Sequence, residues 1–587
     1  MKKNFTVILT MLLTLSLTAC SNPASTAIKN GNYTGEGTGK GGIIKVEVKI
    51  EDDTIKAINV LEQTETAGFK KALDTLTENI LKTNTLEVDI VTGCTMTSKG
   101  FLEAVNNALV TAGANASMLK KMGTESVKTE KESVTKEYDI IVIGAGGAGF
   151  SAAIEAKMAG ANVIILEKMP VAGGNTLISG AEYAAPNNWI QQKEGIEDNV
   201  DLMIEDTLRG GDNKNNPELV KVVAENALEG AEWLRDVVDV EWEDELMFFG
   251  GHSVKRSLIP LGASGQEIIK KQLMKAEELD IEILYNTPAT ELIINESGKV
   301  IGVLAEGPDT NYTFNATKAV IITTGGFGSN IEMRKEYNPE IDETILSTNT
   351  VGSTGDGIIM AQKIGAGLTG MEYIQTYPIC DPLTGTLLYF DDARLYGHSV
   401  IVNLEGKRFV EELVRRDVMS MGIKDQTGHV CYEIIDHNGF VQSKLQENHA
   451  IEIEYLYANE LLVKANTVKE AAEFFGIDAE QMQKTLDDYN SYVDAGVDPE
   501  FNKRSLPSKI EEGPFYILKA APAVHHTMGG ITINTKAQVL DTKGNVIEGL
   551  YAAGEVTGGI HGTNRLGSNA LADITVFGRI AGQNASK

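Results

Sequence analysis

The chain has 587 residues, 42% hydrophobic and 23% charged, a globular composition long enough for several domains with their own cores. Its 52 lysines and arginines are outnumbered by 82 aspartates and glutamates, a net charge of −30, which disfavours nucleic acid and anionic membrane surfaces as partners of the folded body. The four cysteines, Cys20, Cys94, Cys380 and Cys431, form no C-x-x-C metal site, no disulfide framework and no C-x-x-C-H haem attachment, so no metal is expected.

Lys2 and Lys3 precede a mostly apolar run from Phe5 to about Ala19, a secretory signal too short to span a bilayer. It ends in Leu17-Thr18-Ala19-Cys20, which resembles a bacterial lipobox. That resemblance implies that residues 1–19 are removed and Cys20 is diacylated. Two acyl chains would hold the protein extracytoplasmically on the cell membrane. Residues 20–30 are small and polar and read as a tether.

Residues 31–113 have the composition of a small α+β domain. Ile43–Ile50 alternates apolar and polar, as a half-buried strand does, and Thr54–Val60 repeats the pattern. Lys70–Lys82 and Ser98–Thr111 carry helical spacing. Between them stands Asp89-Ile-Val-Thr92-Gly93-Cys94-Thr95-Met-Thr97-Ser98, with a glycine to free the backbone and threonines ahead of a helix N-terminus able to hold phosphate. The segment resembles the flavinylation motif of FMN-binding domains, with Cys94 where alanine is usual. The resemblance implies covalent FMN, linked as a phosphoester to Thr95 by a flavin transferase, with Thr97 as the alternative site. Residues 114–136 are polar and charged and read as a linker.

A dinucleotide-binding pattern begins at 137. The apolar strand from Tyr138 runs into Gly144-Ala-Gly146-Gly-Ala-Gly149, a helix over Phe150–Ala159 follows, and a second strand, Asn162–Leu166, ends at Glu167. Gly144 makes the tight turn, Gly146 admits the pyrophosphate to the backbone, Gly149 lets helix and strand pack, and Glu167 is placed for ribose hydroxyls. Gly173-Gly174-Asn175-Thr176 and Ser179-Gly180-Ala181 extend the glycine-rich region. Val320-Ile-Ile-Thr-Thr-Gly325-Gly326 reads as another buried strand meeting a turn. The first part of this domain is set at 137–373 and a second part at 525–587. The intervening 374–524 is helix-rich, with helices over Thr467–Phe475 and Ala479–Ala495. It contains Arg408, Arg415 and Arg416 in Asn403-Leu-Glu-Gly-Lys-Arg408-Phe-Val-Glu-Glu412-Leu-Val-Arg415-Arg416-Asp417.

The last segment holds His525-His526-Thr527-Met528-Gly529-Gly530, Gly549-Leu-Tyr-Ala-Ala-Gly554-Glu555 and His561-Gly-Thr-Asn-Arg565-Leu-Gly. Imidazole and guanidinium beside close-approach backbone suit a buried carboxylate ligand. Together these motifs resemble the flavin-dependent fumarate reductases and their relatives. The resemblance implies a doubly wound, Rossmann-like FAD-binding domain with a helix-rich α+β capping domain inserted and a small FMN-binding domain ahead of it. It assigns non-covalent FAD to Ala148, Glu167, Asn175, Thr176, Gly180, Ala181, Asp356 of Thr354-Gly355-Asp356-Gly357, His526, Glu555, Ala570 and Leu571. His525 and Arg565 would bind a substrate carboxylate, and Arg416 would protonate the α-carbon after hydride transfer from FAD. The cap would close over the substrate and exclude water. Electrons would reach FAD through the FMN from a membrane donor, quinol- or flavin-based.

One departure from the family bears on the substrate. Tyr377, in Glu372-Tyr-Ile-Gln-Thr-Tyr377-Pro378, replaces a histidine that fumarate reductases use for a second carboxylate, and Asp391-Asp392-Ala-Arg394 follows. Tyr377, Asp391 and Asp392 are expected at the far end of the substrate, where a phenol and acids favour an NH-bearing ring. Asp391 and Asp392 relaying protons to Arg416 is the alternative. Similar replacements occur in urocanate reductases, so the expected substrate is urocanate, with fumarate, methacrylate or an aryl acrylate as alternatives. A ketosteroid-type flavin dehydrogenase or a non-catalytic electron-transfer lipoprotein accounts for less of the chain.

Overall fold

A computed structural model describes residues 28–39, 42–65, 67–88, 90, 91, 94–113, 119 and 131–587. The signal segment, Cys20, and Asp89, Thr92 and Gly93 of the flavinylation motif lie outside the described residues, as does most of 114–130. Among the described residues, no helix is long and apolar enough to cross a membrane. The chain divides into two compact units.

In the N-terminal unit, strands β1 (Gly31–Thr38), β2 (Ile43–Glu51) and β3 (Thr54–Glu62) form an antiparallel sheet in that order. Helix α1 (Ala67–Thr83), from Leu73 onward, and helix α2 (Thr95–Thr111) follow. The alternation in β2 buries Ile44, Val46, Val48 and Ile50 completely, each worth about 1.5–3 kcal/mol. The α2 backbone lies directly on β1. A Cβ at Gly35 or Gly37 would stand 2.1 Å from a carbonyl oxygen of α2, so only glycine fits there.

The second unit is built on an eight-stranded sheet. Strand β4 (Glu132–Ile143), helix α3 (Gly147–Met158) and strand β5 (Val163–Leu166) form a parallel crossover at its centre. Glu282–Leu284 extends the sheet beyond β5, and Thr310–Ile322 pairs with the other edge of β4 in parallel. The far end of Thr310–Ile322 pairs in parallel with Val546–Ala552, while its near end joins an antiparallel meander with Val300–Glu306 and Ala289–Ile294. Helix Asn569–Ala585 packs on α3. The expected linker is corrected here: residues 132–136 belong to β4, paired with Thr310–Phe314. This end of the strand is solvent-exposed and polar, so it carries no hydrophobic period to announce it.

Between residues 374 and 524, strands Ile374–Cys380, Val400–Val402, Cys431–Ile435 and Leu462–Ala465 gather with Phe515–Thr527 into a second sheet. One core, with Phe390, Met419 and Leu456, and another, with Leu486 and Ile517, pack this region. Strand Phe515–Thr527 continues unbroken past residue 524, so the cap's own strand delivers His525 and His526 to the rest of the unit.

Candidate active site

The glycine loop forms as its chemistry requires. Gly144 has φ +106°, and a Cβ at Gly149 would stand 1.9 Å from Gly144 O. A Cβ at Gly146 would meet nothing within 4 Å, leaving the N-terminus of α3 open for phosphate. Glu167 accepts from the Ala145 and Met169 amides at 2.8 and 2.7 Å, which fixes its carboxylate under the loop. Asn175 donates to Asn349 (2.6 Å) and Glu555 (3.3 Å), and Glu555 also accepts from the Thr527 amide at 3.0 Å. Thr176 turns the chain by accepting from the Ser179 hydroxyl, and Gly180 gives way to Ala181, a non-glycine residue at φ +56°. Such backbone persists where its surroundings over-determine it, often at functional sites. Asp356 opens helix Asp356–Lys363 and pairs with Lys168 at 2.6 Å. Lys168, next to Glu167, is a contact that sequence reasoning missed. Ala570 and Leu571 sit in the first turn of helix Asn569–Ala585. The open glycine groove and the buried, unpartnered Nε2 of His526 fit a dinucleotide and its flavin ring.

Adjacent histidines on a regular strand would point to opposite faces. Here Gln375 pairs with His526 and Thr376 with Val524, so His525 is the extra residue of a bulge, a device that re-aims side chains. Its ring tilts against Tyr377 at 5.5 Å between centroids, and its Nδ1 lies 3.0 Å from the Thr348 hydroxyl. With that hydroxyl donating, the ring proton sits on Nε2. Burial, reinforced by Arg565, holds both histidines well below the ordinary histidine range. They are neutral in the native state, whereas the unfolded chain protonates them near pH 6.5. Below that pH the unfolded state binds more protons, so their contribution to stability is lost on acidification. The melting temperature of His525→Gln should therefore fall less steeply than the parent's between pH 7 and 5. Parallel slopes would contradict a neutral native imidazole.

Arg565 is 7% exposed. It donates to Gln375 Oε1 at 3.1 Å and to Leu566 O at 3.2 Å, and its Nε has no partner. Burial, with the charge of Arg416 adding, pushes it down to about 9. The three arginines of the 403–417 segment sort themselves. Arg408 is fully buried in ion pairs with Glu412 and Asp498, both at 2.8 Å. Arg415 is exposed and pairs with Asp417 and Asp212. Arg416, the first residue of helix Arg416–Lys424, makes no side-chain hydrogen bond or ion pair among the described residues. Its guanidinium lies 5.0 Å from the centroid of the Tyr377 ring. Burial lowers its proton affinity, which Tyr377 partly restores.

Asp391 differs from expectation. It is 1% exposed, accepts the Tyr377 hydroxyl at 2.8 Å, and forms a two-point ion pair with Arg394 at 2.5 and 2.6 Å. Both oxygens are committed within the protein, which corrects its reading as an open contact for the substrate. Burial opposes the charge of Arg394, but Asp391 beside it raises that guanidinium overall. Asp392 points elsewhere, 3.0 Å from His449, whose ring stacks on Tyr389 at 5.4 Å. Glu182 completes this end and was missed, although it directly follows Ala181. Burial raises its carboxyl, and it lies in electrostatic reach of Arg565, Asp392 and Arg416.

In the N-terminal unit, α2 starts at Thr95, whose side chain lies outside the described residues. Thr97 is fully buried and donates to Glu65 at 2.7 Å, so its hydroxyl is already occupied.

The family model described as an FAD binding domain matches residues 139–571, and that described as an FMN-binding domain matches 39–110. A urocanate reductase of Eggerthella lenta is 48% identical over 557 residues, covering 94% of this chain and 92% of that protein. A probable fumarate reductase of Shewanella frigidimarina is 40% identical, covering 76% of this chain and 74% of that protein. The open conformation of a flavocytochrome c3 fumarate reductase superposes with a TM-score of 0.68 at 39% identity, over 77% of this chain and 78% of that one.

Proposed function

Because the chain belongs to the flavin-dependent fumarate and urocanate reductase family, FAD-dependent oxidoreductases of CH–CH bonds, we propose that it reduces the double bond of an α,β-unsaturated carboxylate, with urocanate favoured. The observation that carries the reading is that half-buried Arg416 and His525 meet at the Tyr377 ring, with buried Arg565 in electrostatic reach of both and neither guanidinium hydrogen-bonded to a carboxylate. Two guanidiniums that repel each other in a desolvated pocket favour an anionic ligand.

In this reading Arg565 and the Nε2–H of His525 hold the substrate carboxylate and draw electron density from the alkene. When bound, reduced FAD supplies a hydride to the β-carbon. Arg416 then protonates the α-carbon. Burial makes it a stronger acid than free arginine, and its freedom from ion pairing lets it approach carbon. Tyr377 supports its guanidinium, and the Asp391–Arg394 pair behind Tyr377 returns a proton. At the other end, Glu182, Asp392 and the stacked Tyr389 and His449 rings suit an imidazole and repel a second carboxylate.

An assay of reduced-viologen oxidation across urocanate, fumarate, cinnamate, acrylate and methacrylate tests this. Urocanate should give the highest kcat/KM. A preference for fumarate would overturn the substrate, and turnover of none of them would leave an electron-transfer role alone.

FMN carried as a phosphoester on Thr95 would feed electrons from a quinol- or flavin-based membrane donor. The buried, hydrogen-bonded Thr97 supports Thr95 as the attachment site for a flavin transferase. Thr95→Ala, co-expressed with the transferase, should lose the FMN mass from its peptide, whereas Thr97→Ala should keep it. The reverse would move the site. Diacylation of Cys20 would place the enzyme outside the cytoplasm, and globomycin-sensitive processing would test it.

A further inference from the structure

One buried acid of the cap takes no part in its ion pairs. Glu433, in the middle of strand Cys431–Ile435, is 0% exposed, and neither of its oxygens makes a well-formed hydrogen bond. The Ser399 hydroxyl beside it is equally unsatisfied. A carboxylate charge does not persist unpaired in such a place; the group takes a proton instead. Burial, with Asp391 adding, raises Glu433 well above the carboxylate range against the opposing charges of Arg394 and Lys503.

Charged groups lie within electrostatic reach of it on both sides. On one side stands the Arg394–Asp391 pair, with Tyr377 and Arg416 beyond it. On the other, Lys503 donates to Ser399 O at 2.5 Å and lies 3.8 Å from Glu412. Glu412 also accepts from the backbone amide of Ile401, the sheet partner of Glu433. Arg408 joins Glu412 to Asp498 and, at 3.6 Å, to Glu500, which is half-exposed.

We propose that Glu433 is a proton-supplying side chain that refills Arg416 through the Arg394–Asp391 pair, itself recharged along the ionic chain that surfaces at Glu500. The proposal rests on the assignment of Arg416 as proton donor. Each turnover moves one proton from Arg416 to carbon. An Arg394 N–H proton passes to the Asp391 carboxylate and on to Arg416, and the Glu433 carboxyl then restores the proton to Arg394. The resulting Glu433 carboxylate is reprotonated from solvent through Lys503, Glu412 and Arg408. Only N–H and O–H bonds are exchanged, and no charge accumulates.

Glu433→Gln keeps the shape and removes the transferable proton. In the FAD- and FMN-loaded enzyme with excess reduced viologen, its steady-state rate should fall about tenfold above pH 8, with the alkaline limb of the profile moved to lower pH. The first turnover, which uses the proton already on Arg416, should slow less than the steady state. Glu433→Asp should recover part of the rate. Profiles identical to the parent, or equal losses in the two variants, would overturn the proposal.

Thermal unfolding gives an independent reading. A carboxyl raised above 4.5 in the native state makes the parent lose stability as pH rises. The melting temperature of Glu433→Gln relative to the parent should therefore climb from pH 5 to 8. A deficit independent of pH would mean an ionised, paired Glu433 and would overturn the proposal. If Arg416→Ala turns over normally, the assignment of the donor fails. If Arg416→Ala is inactive while Glu433→Gln behaves as the parent, only the Glu433 proposal fails.

Discussion

Arg416→Ala should lower alkene reduction by about 10⁴-fold while FAD stays bound, the upper end of the range for loss of a positioned acid. The flavin should remain because no loop that fits FAD includes residue 416. The neighbouring arginines provide the controls. Arg415→Ala removes an exposed pair with Asp212 and Asp417 and should cost less than about 1 kcal/mol of stability, with little change in turnover. Arg408→Ala would strand Glu412 and Asp498 without their buried partner and should destabilise the cap by about 3–5 kcal/mol. Arg416→Lys should rescue little, because a flexible ammonium does not reproduce the planar guanidinium over Tyr377. Viologen oxidation, flavin absorbance and thermal melting on the four variants separate these outcomes. An active Arg416→Ala enzyme would remove the proposed proton donor.

The second large effect concerns selectivity. Glu182→Gln combined with Asp392→Asn should reduce kcat/KM for urocanate by about 10²-fold, a part of the roughly 10⁴–10⁵-fold by which a site built to bond an NH discriminates. Acrylate, which has no ring to reach these acids, should be affected far less. Fumarate should improve, since two negative charges that repel its second carboxylate are gone. Glu182 lies within electrostatic reach of Arg565 and Arg416, so a uniform loss on all substrates is the informative failure. It would mean that the acids set the charge of the cationic end and do not recognise the ring.

Several parts of this protein were legible from local sequence. Gly144, Gly146 and Gly149 specify a strand–turn–helix by backbone sterics alone, and the structure forms it. The alternation in Ile43–Ile50 and the helical spacing of Ala479–Ala495 were likewise set by neighbours a few residues apart. The FAD and FMN domains followed from such motifs. Burial and pairing in the candidate site were not legible in this way. Arg415 and Arg416 are adjacent and alike in sequence. What separates them is Asp212, 203 residues away, which takes one and leaves the other free. Asp391 looked open until Arg394 and Tyr377 closed on it, and the bulge that turns His525 depends on pairing with Gln375 and Thr376. Sequence by itself determined which elements form and which cofactors they suit, because those depend on short-range sterics and periodicity. Tertiary structure alone decided which charged side chains remain unpaired, because a buried charge is neutralised by whatever distant group the fold brings beside it.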